Sequence, residues 1–571
     1  MPRWTWFLAA SLILAVQTPA TATPPVADAI FVNGRLWTVD NAKPEAEALA
    51  VWQGRILAVG SNAEVAALAG PDTRRFDLHG RRVVPGFYDS HVHVLGSGLR
   101  LSQVALKDAA DEAEFGRRLR EFDRKLPPGR WLVGGDWDHD RALKGALPTA
   151  ALIDKYVADR PVLLRRYDGH MAVANTKALQ LAGITAETPD PIGGVIFRQP
   201  NSREPTGVLR DQAIGLVARL VPAPDTAEIV EAVNAALAEA RSVGVTSVQD
   251  MDGSDSGTRR KLFRLYQDLE RAGQLTLRID LRWPLAEWRE LANLGVTAGF
   301  GSDFVRIGGV KGFADGSLGA STAKFFSSYL NEPGNSGVWV TPRERLKELI
   351  READAAGLSV AIHAIGDEAN AGLLDIFADV ARTNGPRDRR FRIEHAQHLR
   401  PQDYRRFAEL GVVASMQPFH VIDDGRWAEN RIGAERCASS YAYASLLKAN
   451  ARLAFGSDWA VAPLSPLLGI DAAVNRRPLD SPDRKSWFPE QAIGVAEAIE
   501  AYTLGSAWAG FQERHRGSLT PGKLADLVVL SDDILDPAKR DSISSARVVM
   551  TVVGGKVVFE AKVRPSQGLG H

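Results

Sequence analysis

The sequence predicts an α/β fold: a (β/α)₈ TIM-like barrel with a small β-sandwich domain formed by both termini. Three observations support this. The middle of the 571-residue chain alternates short apolar runs with amphipathic stretches, and both ends are rich in short strand-like runs. In addition, five motifs with histidine, lysine or aspartate lie at or just past the ends of apolar runs. Active sites of such barrels lie at these strand ends.

The first 22 residues predict a secretory signal peptide. Arg3 precedes an apolar stretch from Trp4 to about Val16, and Ala20 and Ala22 occupy the small-residue positions of a cleavage site. An uncleaved anchor is the alternative, although the apolar stretch is shorter than the roughly 20 residues that span a bilayer. We therefore expect a periplasmic or secreted protein without stable membrane insertion.

The two ends of the mature chain, residues 23–82 and 515–571, predict the β-sandwich. Asn33-Gly34 and Gln53-Gly54 lie between apolar runs near the N-terminus, and Gly554-Gly555 does so near the C-terminus. These dipeptides are typical of hairpin turns. Neither end has enough strands for a stable sheet domain alone, so we expect the two ends to form one sandwich.

Residues 83–514 predict the barrel. Repeated strand–helix units imply a parallel sheet, and about eight of them close into a barrel. A doubly wound open sheet is the alternative, but no Gly-rich phosphate loop supports it. The alternation breaks at about 99–223, which predicts an insert acting as a lid or pocket wall, or an accessory subdomain without chemistry. The strand-like segments are VPGFYD, VTSVQDM, LRIDLRW, FVRIGGVKGF, LSVAIHAIG, FRIEHAQ, VVASMQP and RLAFGSDW.

Charge narrows the class of ligand. Lys+Arg and Asp+Glu both number 69, and no long run of either sign occurs. This balance argues against a nucleic-acid or anionic-membrane surface. The predicted partner is a small-molecule substrate, no nucleic acid is expected, and a homodimer is left open.

His91 and His93 are the strongest candidates for metal ligands. Residues two apart on a strand point to the same face, so both imidazoles can share one cation. Imidazole and carboxylate donors suit zinc. An isolated His-x-His is more often a pair of solvated histidines in a turn. The other four motifs, which follow in a fixed order along the chain, favour the metal site instead. The remaining histidines, His420 among them, lack a second ligand at strand spacing and are not predicted as ligands. The other motifs are GVKGFADGSLG with Lys311, VAIHAIGD with His363, RIEHAQ with His395 and AFGSDWA with Asp458.

Together these motifs resemble the amidohydrolase superfamily and are similar to its YtcJ-like, amidohydrolase-3 branch. The resemblance also rests on DGHMAVANTKAL and FGSDWAVAPLSP and covers almost the whole mature chain. It implies that His91, His93 and Asp458 bind one metal ion and that His363 and His395 bind a second. It does not identify a substrate, because members of the branch act on amide, formamide and related bonds.

The resemblance also implies that Lys311 is carbamylated and bridges the two ions. Adding carbon dioxide to its neutral amine gives two oxygen donors, and burial near metal favours the neutral amine. If Lys311 is an unmodified salt-bridge partner, one ion is the natural count. The predicted cofactor is therefore a divalent metal, Zn²⁺, with one or two ions per chain.

The expected chemistry follows from this metal. A divalent ion lowers the pKa of bound water from about 15.7 towards 7 and polarises a carbonyl oxygen. Metal-bound hydroxide would attack, and Asp458 would carry the proton to the leaving nitrogen. The resemblance suggests that His170 contacts the carbonyl oxygen, and a core histidine is the alternative.

We therefore predict a secreted metal-dependent amidohydrolase that cleaves a C–N bond of an amide or N-acyl compound. One alternative is an ester or lactone hydrolase that uses the same site. The other is a non-catalytic periplasmic binding or regulatory protein with the same fold.

Overall fold

Eight parallel strands form the centre of the computed structural model. The structure describes residues 25–562 apart from 167–170, 192–193, 253–254, 320, 480, 482 and 484. Each strand pairs with the next along the chain, so the barrel follows chain order. This arrangement confirms the predicted fold class. The strands are β1 (Phe87–Val92), β2 (Val245–Asp250), β3 (Arg278–Pro284), β4 (Val305–Phe313), β5 (Val360–Ala364), β6 (Arg392–His395), β7 (Val413–Met416) and β8 (Arg452–Phe455).

The barrel closes between the end of β1 and the residues just beyond the end of β8. Val92 and Trp459 form a parallel bridge. The His93 amide donates to the Trp459 carbonyl oxygen at 2.7 Å, and the Asp458 amide donates to the His91 carbonyl oxygen at 2.8 Å. We call residues 91–93 and 458–459 the seam. The seam brings the first and last barrel strands together at their carboxyl ends.

Amphipathic helices cover the outside of the barrel. In Thr226–Ser242, Asp225 and Glu228 form a reciprocal capping box, and Ala232, Ala236 and Ala240 are buried on one face. Within the described part of the chain, no helix is both long enough and apolar enough to cross a membrane. The other helices in this region are Val94–Leu101, Ser256–Arg271, Trp288–Asn293, Arg343–Ala355, Asp367–Asn384, Tyr404–Glu409, Pro418–Asp424, Ala428–Ile432, Ala434–Cys437, Tyr443–Lys448, Pro466–Asn475, Val495–Glu500 and Ser506–Ala509.

Strands from both ends of the chain form two sheets that share one apolar core. Phe31 and Leu49 of one sheet belong to the same buried cluster as Val83 and Leu527 of the other. The first sheet contains Ala27–Val32, Ala48–Trp52, Arg55–Gly60 and Ala69–Asp77, and the second contains Arg35–Trp37, Glu45–Ala46, Arg82–Pro85, Leu527–Leu530, Val548–Val553 and Lys556–Glu560.

The predicted turns differ in outcome. Gln53-Gly54 joins two antiparallel strands, and so does Gly554-Gly555. The hairpin predicted at Asn33-Gly34 is wrong, because the strands on either side of it lie in different sheets. A type I′ hairpin needs a positive φ at both central residues, and of this pair only Asn33 has one, at 56°. The chain therefore crosses from one sheet to the other here.

The insert between the first two barrel strands contains a six-stranded sheet with apolar cores of its own. Arg100, in the helix after β1, joins this sheet to Ala460, the residue that follows the seam. Its Nε lies 2.8 Å from Asp136 Oδ2, and its Nη1 donates to the Ala460 carbonyl oxygen at 2.9 Å. The insert contains the strands Val104–Ala105, Leu132–Trp137, Val162–Arg166, Met171–Ala174, Gly194–Arg198 and Pro205–Asp211 and the helices Glu112–Asp123, His139–Ala142, Ala150–Asp154, Thr176–Ala182 and Gly215–Ala218.

Two sets of predictions fall outside the described residues. One is the signal peptide of residues 1–22. The other is the contact of His170 with a carbonyl oxygen.

Candidate metal centre

Histidine and carboxylate side chains converge at the carboxyl ends of the barrel strands. The register of neighbouring strands sets Lys311 beside Ala361, Phe313 beside His363 and Ala364 beside His395. Chain order therefore becomes spatial order around the rim of the barrel. The predicted ligands lie on it as follows: His91 and His93 at β1, Lys311 on β4, His363 on β5, His395 on β6 and Asp458 after β8.

The seam brings His91, His93 and Asp458 together. His91 Nε2 lies 3.5 Å and His93 Nε2 3.2 Å from Asp458 Oδ1. One donor atom from each of the three residues lies within 4.8 Å of the other two. Two imidazole nitrogens and a carboxylate oxygen facing one point are a donor set that zinc takes in proteins. The cluster can therefore bind a divalent metal ion.

A buried carboxylate holds the seam in position. Asp89 Oδ1 accepts the His91 amide at 3.0 Å, and the same carboxylate accepts the Ser457 amide at 3.0 Å. Gly456 packs closely against this arrangement. A Cβ atom there would lie 2.6 Å from the His91 amide nitrogen and 2.7 Å from Asp89 Oδ1. Only glycine fits between the two strands at this point.

We expect Gly456→Ala to destabilise the protein by about 1–3 kcal/mol, because the added methyl group must displace the backbone of His91. Thermal unfolding should show a lower Tm. Gly215→Ala is the matched control, since a Cβ atom at Gly215 has nothing within 4 Å. Equal Tm values for the two variants would contradict the close packing at the seam.

His91 and His93 each face Asp458 through Nε2 and another carboxylate through Nδ1. His91 Nδ1 lies 2.7 Å from Glu394 Oε2, and His93 Nδ1 lies 3.6 Å from Asp252 Oδ1. Burial lowers the pKa of His93, but hydrogen bonds with Asp252 and Asp458 outweigh it and raise the pKa to about 9. A carboxylate at Nδ1 leaves Nε2 directed at Asp458.

Glu394 is a functional candidate that the sequence interpretation missed. Its side chain is fully buried, pairs with Arg392 at 2.8 Å and accepts the Ser415 hydroxyl at 2.8 Å. Burial raises the pKa of Glu394, but the charge of Arg392 and the bond with His91 outweigh it and hold the pKa at about 2. The charged carboxylate therefore orients His91. A signal was available, because Arg392 and Glu394 alternate within the RIEHAQ strand and so share a face.

The Lys311 side chain is buried on β4, on the same rim of the barrel. Its ammonium nitrogen lies 4.5 Å from the centre of the Phe313 ring and makes no ion pair with a residue that the structure describes. Burial is the main cause that lowers the pKa of Lys311, to about 8. The geometry therefore does not favour a simple salt-bridge role.

His363 and His395 lie close together on adjacent strands. Their ring centroids are 4.4 Å apart. His363 Nε2 lies 3.0 Å from the Gly316 carbonyl oxygen, which leaves Nδ1 for another partner. Burial lowers the pKa of His363 to about 3, so its imidazole is neutral.

His420 belongs to the site although its sequence context did not predict it. It lies in the helix Pro418–Asp424, which follows β7, and its Nε2 is 3.4 Å from Asp458 Oδ2. Donor atoms of His395, His420 and Asp458 lie within 4.8 Å of one another. The helix hides His420 from any test of strand spacing. Only its position just after the VVASMQP strand could have indicated it.

Comparisons with known proteins agree with this arrangement. The sequence profile of the amidohydrolase family matches residues 74–559. Protein LONG AFTER FAR-RED 3 of Arabidopsis thaliana is 42% identical over 95% of this chain and 94% of its own length. The putative amidohydrolase YtcJ of Bacillus subtilis is 34% identical over 93% of this chain and 99% of its own. N-substituted formamide deformylase of Arthrobacter pascens is 27% identical over 93% of this chain and 98% of its own.

A solved structure is also similar over most of the chain. An uncharacterized metal-dependent hydrolase from Pyrococcus horikoshii superposes with a TM-score of 0.73 at 30% identity and covers 89% of this chain and 98% of its own. The family profile spans most of the chain, and the His/Asp cluster lies where a barrel hydrolase carries its active site. The chain therefore belongs to the amidohydrolase family.

Proposed function

We propose that this protein is a zinc-dependent hydrolase that cleaves a C–N bond of an amide or N-acyl compound. The observation that carries the proposal is the convergence of His91, His93 and Asp458, whose donor atoms lie within 4.8 Å of one another. The relative named N-substituted formamide deformylase supports the class of bond. Export to the periplasm or beyond is part of the same proposal and rests on the sequence of residues 1–22.

The donor set fits a divalent ion, and such an ion supplies a lowered pKa for bound water and polarisation of a carbonyl oxygen. The chain's own residues supply the rest. His91 and His93 would hold the cation, and Glu394 and Asp252 face the Nδ1 atom of each ring and so orient it. The barrel wall around them is buried, which keeps the donors fixed in orientation.

Asp458 is the proton carrier in this proposal. Burial raises the pKa of its carboxyl, but the bond with His420 and the charge of His91 outweigh burial and hold the pKa well below its usual range. The group is therefore ionised at neutral pH and can accept a proton. It then returns that proton to the leaving nitrogen, which departs as a neutral amine.

Lys311 serves in this proposal as a carbamate. Its neutral amine adds carbon dioxide and releases one proton, which gives a carbamate with two oxygen donors. The burial of Lys311 and its lack of an ion pair among the described residues support this modification. Burial alone favours the neutral amine that the reaction requires.

We expect the protein purified without chelator to carry divalent metal, and His91→Ala and His93→Ala each to lose at least one ion per chain. Metal content by mass spectrometry checks this. His515→Ala is the matched control, because His515 is exposed and lies outside the cluster. Undiminished metal in both site variants would remove the basis of the proposal.

The same preparations then enter a hydrolysis screen. A panel of N-acyl amines, N-substituted formamides and matched esters distinguishes the candidate bonds. Amide turnover that disappears with the metal supports the proposal. Turnover of esters alone would assign the site to ester hydrolysis, and no turnover at full metal content would favour a binding protein.

A further inference from the structure

We propose that the substrate is a secondary amide with an apolar group on each side of the scissile C–N bond. Phe313 contacts the acyl group, and Val461 contacts the group on the nitrogen. This inference rests on the proposed function and names the class of substrate for the same site. The observation behind it is that these two apolar residues are exposed next to residues of the candidate metal centre.

Phe313 is an exposed aromatic residue at the end of β4. Its ring centroid lies 5.5 Å from that of His363 and 4.5 Å from the Lys311 side-chain nitrogen. Lys311 is buried, whereas 45% of Phe313 is exposed. The ring therefore lies against two side chains of the site and still presents apolar surface to solvent. A phenylalanine in this position offers a bound molecule a large apolar contact.

Val461 lies in the turn that begins at the proton carrier. Its amide donates to the Asp458 carbonyl oxygen at 2.7 Å, and 70% of the residue is exposed. Arg100 holds the same turn, because its Nη1 donates to the Ala460 carbonyl oxygen at 2.9 Å. The valine is therefore an exposed apolar residue whose position relative to Asp458 is set by the backbone.

The two residues stand on opposite sides of the barrel mouth. In a closed ring of eight strands, strands four apart face each other across the axis, and β4 and β8 are such a pair. Phe313 ends β4, and Val461 lies in the turn after β8. A molecule that lies across the mouth, with its carbonyl group at the candidate metal centre, therefore has one apolar residue near each end.

The proton carrier determines which end is which. In the proposed function Asp458 returns a proton to the leaving nitrogen, so this nitrogen must lie within reach of the Asp458 carboxylate. The group on the nitrogen then lies on the Val461 side, and the acyl group extends towards Phe313. Contacts with these two groups hold the scissile bond in position for attack.

The test uses four amides: N-methylacetamide, N-methylphenylacetamide, N-benzylacetamide and N-benzylphenylacetamide. The metal-loaded protein is assayed for kcat/KM with each amide. The matched ketones, in which a methylene group replaces the nitrogen, cannot be hydrolysed, and their Kd is measured by equilibrium dialysis. This second measurement reports the apolar contacts without turnover.

We expect the unaltered protein to prefer the amide with both aromatic groups. Phe313→Ala should lower the preference for phenylacetyl over acetyl by about 10-fold or more and leave the preference for benzyl over methyl unchanged. Val461→Ser should have the opposite pattern. The matched controls are Phe300→Ala and Val26→Ser, because both residues are similarly exposed and lie away from the site. Thermal unfolding verifies that each variant is folded.

Each outcome supports or overturns the inference. Unchanged preferences in both folded variants would overturn the apolar contacts, while the proposed function would stand if the amides are hydrolysed. An effect in one variant only would remove the other residue. If Phe313→Ala altered the preference for the benzyl group instead, the assigned orientation would be wrong. No hydrolysis of any amide, together with the expected changes in the Kd of the ketones, would refute the proposed function and keep the contacts.

Discussion

Asp458→Asn should lower kcat by about 10² to 10⁴, the usual contribution of a positioned proton carrier. Asparagine keeps the shape of the side chain and one oxygen donor but cannot accept a proton at working pH. The loss should appear in kcat more than in KM, because proton transfer develops in the transition state. Metal content must be measured in the same preparation, since the amide is also a weaker ligand.

A matched carboxylate outside the site provides the control. Asp303 is 45% exposed and pairs with Arg55, so Asp303→Asn should leave kcat unchanged. If a metal-replete Asp458→Asn variant hydrolyses its substrate within a few-fold of the parent, Asp458 is not the proton carrier. His170, in the insert, would then become the leading candidate.

Lys311→Ala should abolish most activity and weaken metal binding by about 100-fold, if the residue acts as a carbamate. A small carboxylic acid such as propionate should partly restore both, because it fills the vacated oxygen positions. Lys311→Arg should not substitute, since guanidinium stays protonated and cannot react with carbon dioxide. Activity and metal content with and without the acid are the measurements.

Lys347→Ala is the control for this substitution, because Lys347 pairs with Asp379 on the surface. The acid should have no effect on it. Full activity in Lys311→Ala without added acid would show that no carbamate is needed. Restoration by the acid of metal alone, without activity, would show that the oxygens hold the ion but do not orient the substrate.

The barrel could be predicted from the sequence because the same pattern, a short apolar run, recurs for each of its strands. Each of the eight predicted segments contains or overlaps one barrel strand, since a strand buried on both faces reads as a short apolar run. The turn at Asn33-Gly34 shows the limit of a local signal. The dipeptide indicates a positive φ, but it does not say which sheet the next strand joins, and that choice depends on partners far along the chain.

The site was partly predictable for a similar reason. His91 and His93 lie two residues apart at the end of one strand, which is a spacing that the sequence shows. His420 lies in a helix and becomes a neighbour of Asp458 only when the barrel closes. Glu394 lies in the RIEHAQ motif, but its spacing from the other candidate residues is not one that indicates a metal ligand. Its contact with His91 follows from the way that distant strands come together in the barrel, which no local pattern encodes.

The seam determines when, during synthesis and folding, the chain can first bind a metal ion. His91 and His93, at the end of β1, are synthesised early, while the carboxylate that completes their donor set follows the last barrel strand. A nascent chain cannot present the full set until most of it has left the ribosome and the barrel ring has joined its ends. A cation bound there would connect residues at the two ends of the barrel, which are separated by a very long stretch of chain. Bringing such distant residues together costs more conformational entropy than closing a short loop, so the cation would stabilise the closed barrel. Occupancy of the site would therefore mark chains that have finished folding, and an unfinished barrel would compete poorly for scarce metal.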